Sequence, residues 1–194
     1  MNTEHAWRGS ALLKEADAFA THHHAGQLRK YVGSPYVEHP RAVARLVRRF
    51  THDEPMVAAS LLHDVAENCG VSLQEIERRF GSDVATLVGD LTDVSRPQDG
   101  NRAQRKAIDR AHTAAASPRA KTIKACDLIH NTASIVRYDP TFAGVYLDEK
   151  GQLLPVLHNA SDPRAVMLAQ RVHARGVQLL QQARAYPGTH PVPR

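Results

Sequence analysis

The chain has 194 residues, 42% of them apolar and only 5% aromatic, which suits one domain with a sizeable core and favours helix over sheet. A formal charge of +5 points to anionic partners, yet Lys and Arg are scattered without a basic block or aromatic interleaving, which argues against nucleic acid and leaves phosphorylated small molecules. Cys69 and Cys126 lack any C-x-x-C spacing, excluding a disulfide framework or a Cys-rich zinc site, and no window approaches the roughly 18 apolar residues of a membrane span, so a soluble, cytoplasmic protein is expected.

Ser10 predicts a cap for a helix through "ALLKEADAFATHHH", with Leu12, Leu13, Ala16, Phe19 and Ala20 on one face. The glycines and prolines of "GQLRKYVGSPYVEHP" predict a loop, and Pro40 a first-turn position ahead of "RAVARLVRRF". A third helix from near Asp53 through "EPMVAASLLHDVAEN" is apolar nearly all round and so should be buried. Ser72 and Glu75 form a capping-box pattern, and Gly81 separates that helix from "SDVATLVGDLTDV". After the loop "SRPQDGN", helices are expected over "RAQRKAIDRAHTAAA", from Pro118 through "RAKTIKACDLIHNTASIVRY", and over "YLDEKGQLLPVL" and "DPRAVMLAQRVHARGVQLLQQARA". The expectation is a single all-α domain over residues 1–194 with its core at about residues 8–186 and frayed ends. Oligomeric state, a homo-oligomer included, is left open.

The chemistry concentrates in "LLHDVAEN", where His63, Asp64 and Glu67 place an imidazole and two carboxylates within about one turn of a buried helix. Burying them unpaired is costly, and a divalent metal relieves that cost because neutral His and ionised Asp are both ligands. Taken alone, a His-Asp pair is more often a satisfied helix pair. The second polar island, "KACDLIHN", puts Asp127 and Asn131 four apart on another apolar helix, which suggests a metal site in the bundle core. The run His22-His23-His24 cannot all face one ion, since neighbours point about 100° apart on a helix. Isolated His52, His112, His130 and His158 read as surface or packing residues, His39 as a capping residue, Tyr36 as a loop anchor and Cys126 as a small core residue.

The stretches "HAGQLRK", "GSPYVEHP", "AASLLHDVAEN", "FGSDVATLV" and "KACDLIHN" occur in an order that resembles the HD phosphohydrolases, and more closely the RelA/SpoT hydrolase domain and the small alarmone hydrolases. That resemblance implies an HD-domain helical bundle whose metal, usually Mn2+, is held by His24, His63, Asp64 and Asp127. It implies removal of the 3′-pyrophosphate of guanosine tetra- or pentaphosphate, part of the stringent response. Glu67 and its neighbour Asn68 take the catalytic positions; Arg29, Lys30, Asn131 and Ser134 face the substrate, with Lys150 as an added phosphate contact. The bland readings are a Glu67–Arg29 ion pair, a solvated Lys124 and a core amide at Asn131. The family pattern has Glu-Asp where this chain has Glu67-Asn68, and positive charge where it has Leu128 and Ala133. These departures leave room for an adenosine alarmone or NADPH as substrate, or for a non-catalytic nucleotide sensor.

Overall fold

A computed structural model describes residues 7–185. Nine α-helices follow in order among these residues: α1 Ala11–His23, α2 Glu38–Val47, α3 Glu54–Cys69, α4 Leu73–Phe80, α5 Ser82–Leu91, α6 Arg102–Ala115, α7 Pro118–Tyr138, α8 Pro140–Leu153 and α9 Pro163–Ala185. The all-α bundle read from the sequence is the fold observed. No helix of the described residues is long and apolar enough to cross a membrane.

Helices α3 and α7 organise the core. The Asp53 side chain caps α3 by accepting from Met56 N at 3.1 Å, and Gly70, at φ 71°, ends it in the left-handed region where a side chain is strained. Between these ends Met56 to His63 are all buried, and α1, α2 and α5 pack around them. Each fully buried leucine, such as Leu61 or Leu62, contributes roughly 1.5–3 kcal/mol relative to exposure. Helix α7 starts at Ser117, whose hydroxyl accepts from Ala120 N, and stops ahead of Pro140, which disfavours helical backbone at Asp139. It packs against α9, α2, α8 and α5 and touches α3, so the two polar islands of the sequence come to one place.

Two boundaries differ from expectation. Helix α2 begins at Glu38, so Pro40 is its third residue; its missing N–H is still one of the helix-start donors that have no partner inside the helix. Trp7, expected at the frayed start, is buried with Arg48 stacked 5.8 Å from its ring centroid. The expected fraying before it and after Pro187 lies outside the described residues.

Candidate metal centre

Three elements converge on the polar centre. Helix α2 contributes His39 from its first turn, α3 contributes His63 and Asp64, and α7 contributes Asp127. One donor atom each from His39, His63 and Asp64 lie within 4.8 Å of one another. Asp127 Oδ1 adjoins them, 3.2 Å from His39 Nε2 and 3.8 Å from His63 Nε2.

The histidines are oriented from behind. His63 Nδ1 lies 2.8 Å from the carbonyl of Ser60, which can only accept, so Nδ1 carries the proton and Nε2 of the neutral ring presents a lone pair. That Nε2 is buried without a hydrogen-bond partner, yet it stands 3.4 Å from Asp64 Oδ2. A lone pair aimed at carboxylates is repulsive until a cation lies between them. The donor set fits a divalent metal on that ground, with nitrogen and oxygen ligands and no thiolate. His39 Nδ1 is 2.8 Å from His130 Nδ1, and burial together with the nearby His39 and Arg29 pushes His130 down to about 4. His130 therefore stays neutral and can share its ring with His39 as a hydrogen-bond partner.

The carboxylates are held as firmly. Tyr36 donates to Asp64 Oδ2 at 2.9 Å and receives Asn68 Nδ2 at 3.2 Å, while Asn131 donates to Asp127 Oδ1 at 2.7 Å. Burial opposes the Asp127 charge, but the His39 contact, Lys124 and His63 outweigh it and hold its carboxyl well below the usual range. Lys124 is half-buried; desolvation disfavours its charge, yet Asp127, Asp93, Glu67 and Asp64 together raise it above an ordinary lysine.

His24, expected as a ligand, is not among the residues whose donor atoms gather there, although its Nε2, like that of His63, is buried without a hydrogen-bond partner. The chain leaves α1 at His24, whose Nδ1 is taken by Gln27 Oε1 at 2.9 Å and Cys69 Sγ at 3.4 Å. Its ring stacks on Tyr36, with the centroids 4.9 Å apart, and so stands behind the residue that touches Asp64. His39, read as a cap, is instead in the cluster, because α2 starts two residues before Pro40 and carries it on the buried face. A signal for it existed: His39, Val43 and Val47 recur every four residues on the buried face of α2.

The other expected residues divide. Glu67 is solvent-exposed on α3, three residues after Asp64; partial desolvation and the charges of Asp93 and Asp64 push its carboxyl up, and its polar contact is the Asp93 backbone N–H at 3.5 Å, not Arg29. Arg29 donates to Asn131 Oδ1 at 3.2 Å. Arg29, His39, His130, Ser134 and Arg137 line one cleft of about 300 Å3. Lys30 is 76% exposed and 3.7 Å from Asp139. The structure gives it no place among the clustered groups. Lys150 lies with Lys124, Lys106 and Asp93 in a separate, small cavity, where burial and the Lys124 charge lower its pKa. Tyr36, Lys124 and His130 acquire roles at the centre that the sequence did not assign.

A family model described as HD domain matches residues 16–143. The chain belongs to the HD domain family. Its His63-Asp64 pair lies inside the matched span, on the buried helix that the fold makes central. The guanosine-3′,5′-bis(diphosphate) 3′-pyrophosphohydrolase MESH1 of Mus musculus is 32% identical over 181 residues, which cover 88% of this chain and 98% of that protein. A probable GTP pyrophosphokinase of Mycobacterium leprae (strain TN) is 36% identical over 122 residues, 62% of this chain but 15% of its own length. Among solved structures, one described as a metazoan ortholog of SpoT that hydrolyzes ppGpp superposes with a TM-score of 0.76 at 28% identity, over 86% of this chain and 96% of that one. The resemblance to small alarmone hydrolases holds over nearly the whole chain, not only in the quoted stretches.

Proposed function

We propose that this HD-domain protein is a hydrolase of guanosine 3′,5′-bis(diphosphate), taking up water and releasing the 3′-pyrophosphate. The observation that carries the reading is the gathering of His39, His63 and Asp64 donor atoms within 4.8 Å beside Asp127, a built cation pocket at the foot of a cleft. The near full-length similarity to MESH1 supports the choice of substrate. His39, His63, Asp64 and Asp127 are the proposed ligands, and manganese the proposed cation. A divalent cation held there acidifies water toward neutral pH and offsets phosphate charge.

The chain's own groups supply the rest. Glu67, with its raised pKa, follows Asp64 by about one turn of α3, from where a carboxylate can orient water and take its proton. Lys124, kept charged by the surrounding carboxylates, balances their negative field as a phosphate group approaches. Arg29 and Asn131 are joined to each other and to Asp127, which fixes the substrate side of the cleft relative to the pocket. Asn68 is tied to Tyr36 and carries no titratable proton, which leaves Glu67 as the carboxylate for proton transfer. The protein is proposed to work in the cytoplasm, on a phosphorylated nucleotide.

The test is product analysis by anion-exchange chromatography. Metal-stripped protein resupplied with Mn2+ would be incubated with guanosine tetraphosphate, its adenosine counterpart and NADPH, with Asp64→Ala as control. Metal-dependent release of pyrophosphate from guanosine tetraphosphate, absent in the control, is the expected result. Turnover of one of the other two alone would reassign the substrate, and equal turnover in Asp64→Ala would refute the site.

A further inference from the structure

An apolar groove of about 830 Å3 runs between the C-terminal halves of α7 and α9. That volume is typical of a small-molecule site. On α9 its wall is a helical stripe from Val172 through Gly176, Leu179 and Leu180 to Ala183, roughly 16 Å long at 1.5 Å of rise per residue. Gly176 sets the floor: a Cβ there would meet Val136 Cγ2 at 3.1 Å and Leu147 Cδ2 at 3.2 Å, so the helices already touch and the groove stays open only on its outer side.

The rim is cationic. Arg137, Arg171 and Arg175 stand along it, and Arg171 and Arg175 have no ion pair or hydrogen bond among the described residues. Helix α9 carries no Asp or Glu over Pro163–Ala185, so nothing on it neutralises them. We infer that this groove binds a long-chain fatty carboxylate, its alkyl chain laid along Val172 to Ala183 and its head group on Arg171 and Arg175. The apolar wall runs lengthwise along α9, which matches an extended chain better than a compact ring system. A second copy of the protein is a poorer occupant, because a two-fold contact through this face would bring the same arginines together. The groove adjoins the cleft beside the metal centre, sharing Ala133, Arg137 and Tyr138 with it, but the inference does not rest on the proposed hydrolase activity.

The experiment is isothermal titration of the intact chain with laurate below its micellar concentration, alongside octanoate, with light scattering to fix the oligomeric state. Saturable binding of one laurate per chain is expected, at least tenfold weaker for octanoate and for the double variant Arg171→Ser, Arg175→Ser. Both arginines are exposed, so that variant should fold, which circular dichroism checks. As a second handle, Ala183→Phe shortens the groove and should weaken laurate more than octanoate. No saturable binding, affinity indifferent to the arginines and to Ala183→Phe, or a dimer closed through α7 and α9 would overturn the inference.

Discussion

Two clusters of buried charge, around Asp109 and around His63, differ in whether the chain alone completes them. Around Asp109 on α6 every partner is present: Oδ1 accepts from Val94 N at 3.2 Å and Ser95 N at 2.9 Å, and Oδ2 from Ser95 Oγ at 3.0 Å and Lys106 Nζ at 3.2 Å. Burial works against the Asp109 charge, but these donors overcome it and lower its pKa. At the His39, His63, Asp64 and Asp127 pocket, by contrast, a histidine lone pair and carboxylate oxygens face one another with a buried nitrogen unpartnered. A complete cluster fixes structure; an incomplete one leaves a position for something the chain does not supply.

The contrast can be tested from each side. The largest effect expected is on turnover: Glu67→Gln should lower it by about 10²–10⁴-fold, the usual range for a general base, with metal content unchanged. Because the Glu67 carboxyl is pushed up and acts deprotonated, the acid limb of the wild-type pH–rate profile should lie above the ordinary carboxylate range and vanish in the variant. Next in size, Asp109→Ala leaves the Val94 and Ser95 backbone N–H groups without their acceptor, while Lys106 keeps Asp93 at 2.7 Å, and should cost about 1–3 kcal/mol in denaturant unfolding, without altering metal stoichiometry in the folded protein. The sign with pH follows from the lowered pKa: the Asp109 contribution is present above the unfolded carboxylate value and is lost as pH falls through the folded one, so wild-type stability should decline in acid more steeply than that of the variant. The smallest effect is at Asn68. Converting it to Asp frees Tyr36 from the amide, and steady-state turnover of guanosine tetraphosphate should change several-fold; no change would mean that Glu67 needs no help from this position.

What was legible in the sequence, and what was not, has a physical explanation. Helix α3 announced itself because Asp53, Pro55 and Gly70 mark its ends and its middle is apolar on all sides, so polar His63 and Asp64 stood out against that background. Asp127 stood out for the same reason on α7. His39 did not, because it sits where a loop becomes a helix, and Pro40 drew the boundary two residues late. Adjacent loop residues point apart, so Arg29 reaches Asn131 while exposed Lys30 turns to Asp139, a difference that one dimension does not display. Lys124 was ambiguous in one dimension, since its four carboxylate neighbours come from α3, α7 and the segment after α5.

The most direct measurement is metal content, by elemental analysis, of His39→Ala and His24→Ala prepared side by side and checked for folding by circular dichroism. The expected result is loss of the bound divalent metal in His39→Ala and wild-type stoichiometry in His24→Ala, because the first histidine faces Asp64 and Asp127 while the second lies outside that cluster, its Nδ1 held by Gln27 and Cys69. Full metal in His39→Ala with loss in His24→Ala would contradict the site as built here.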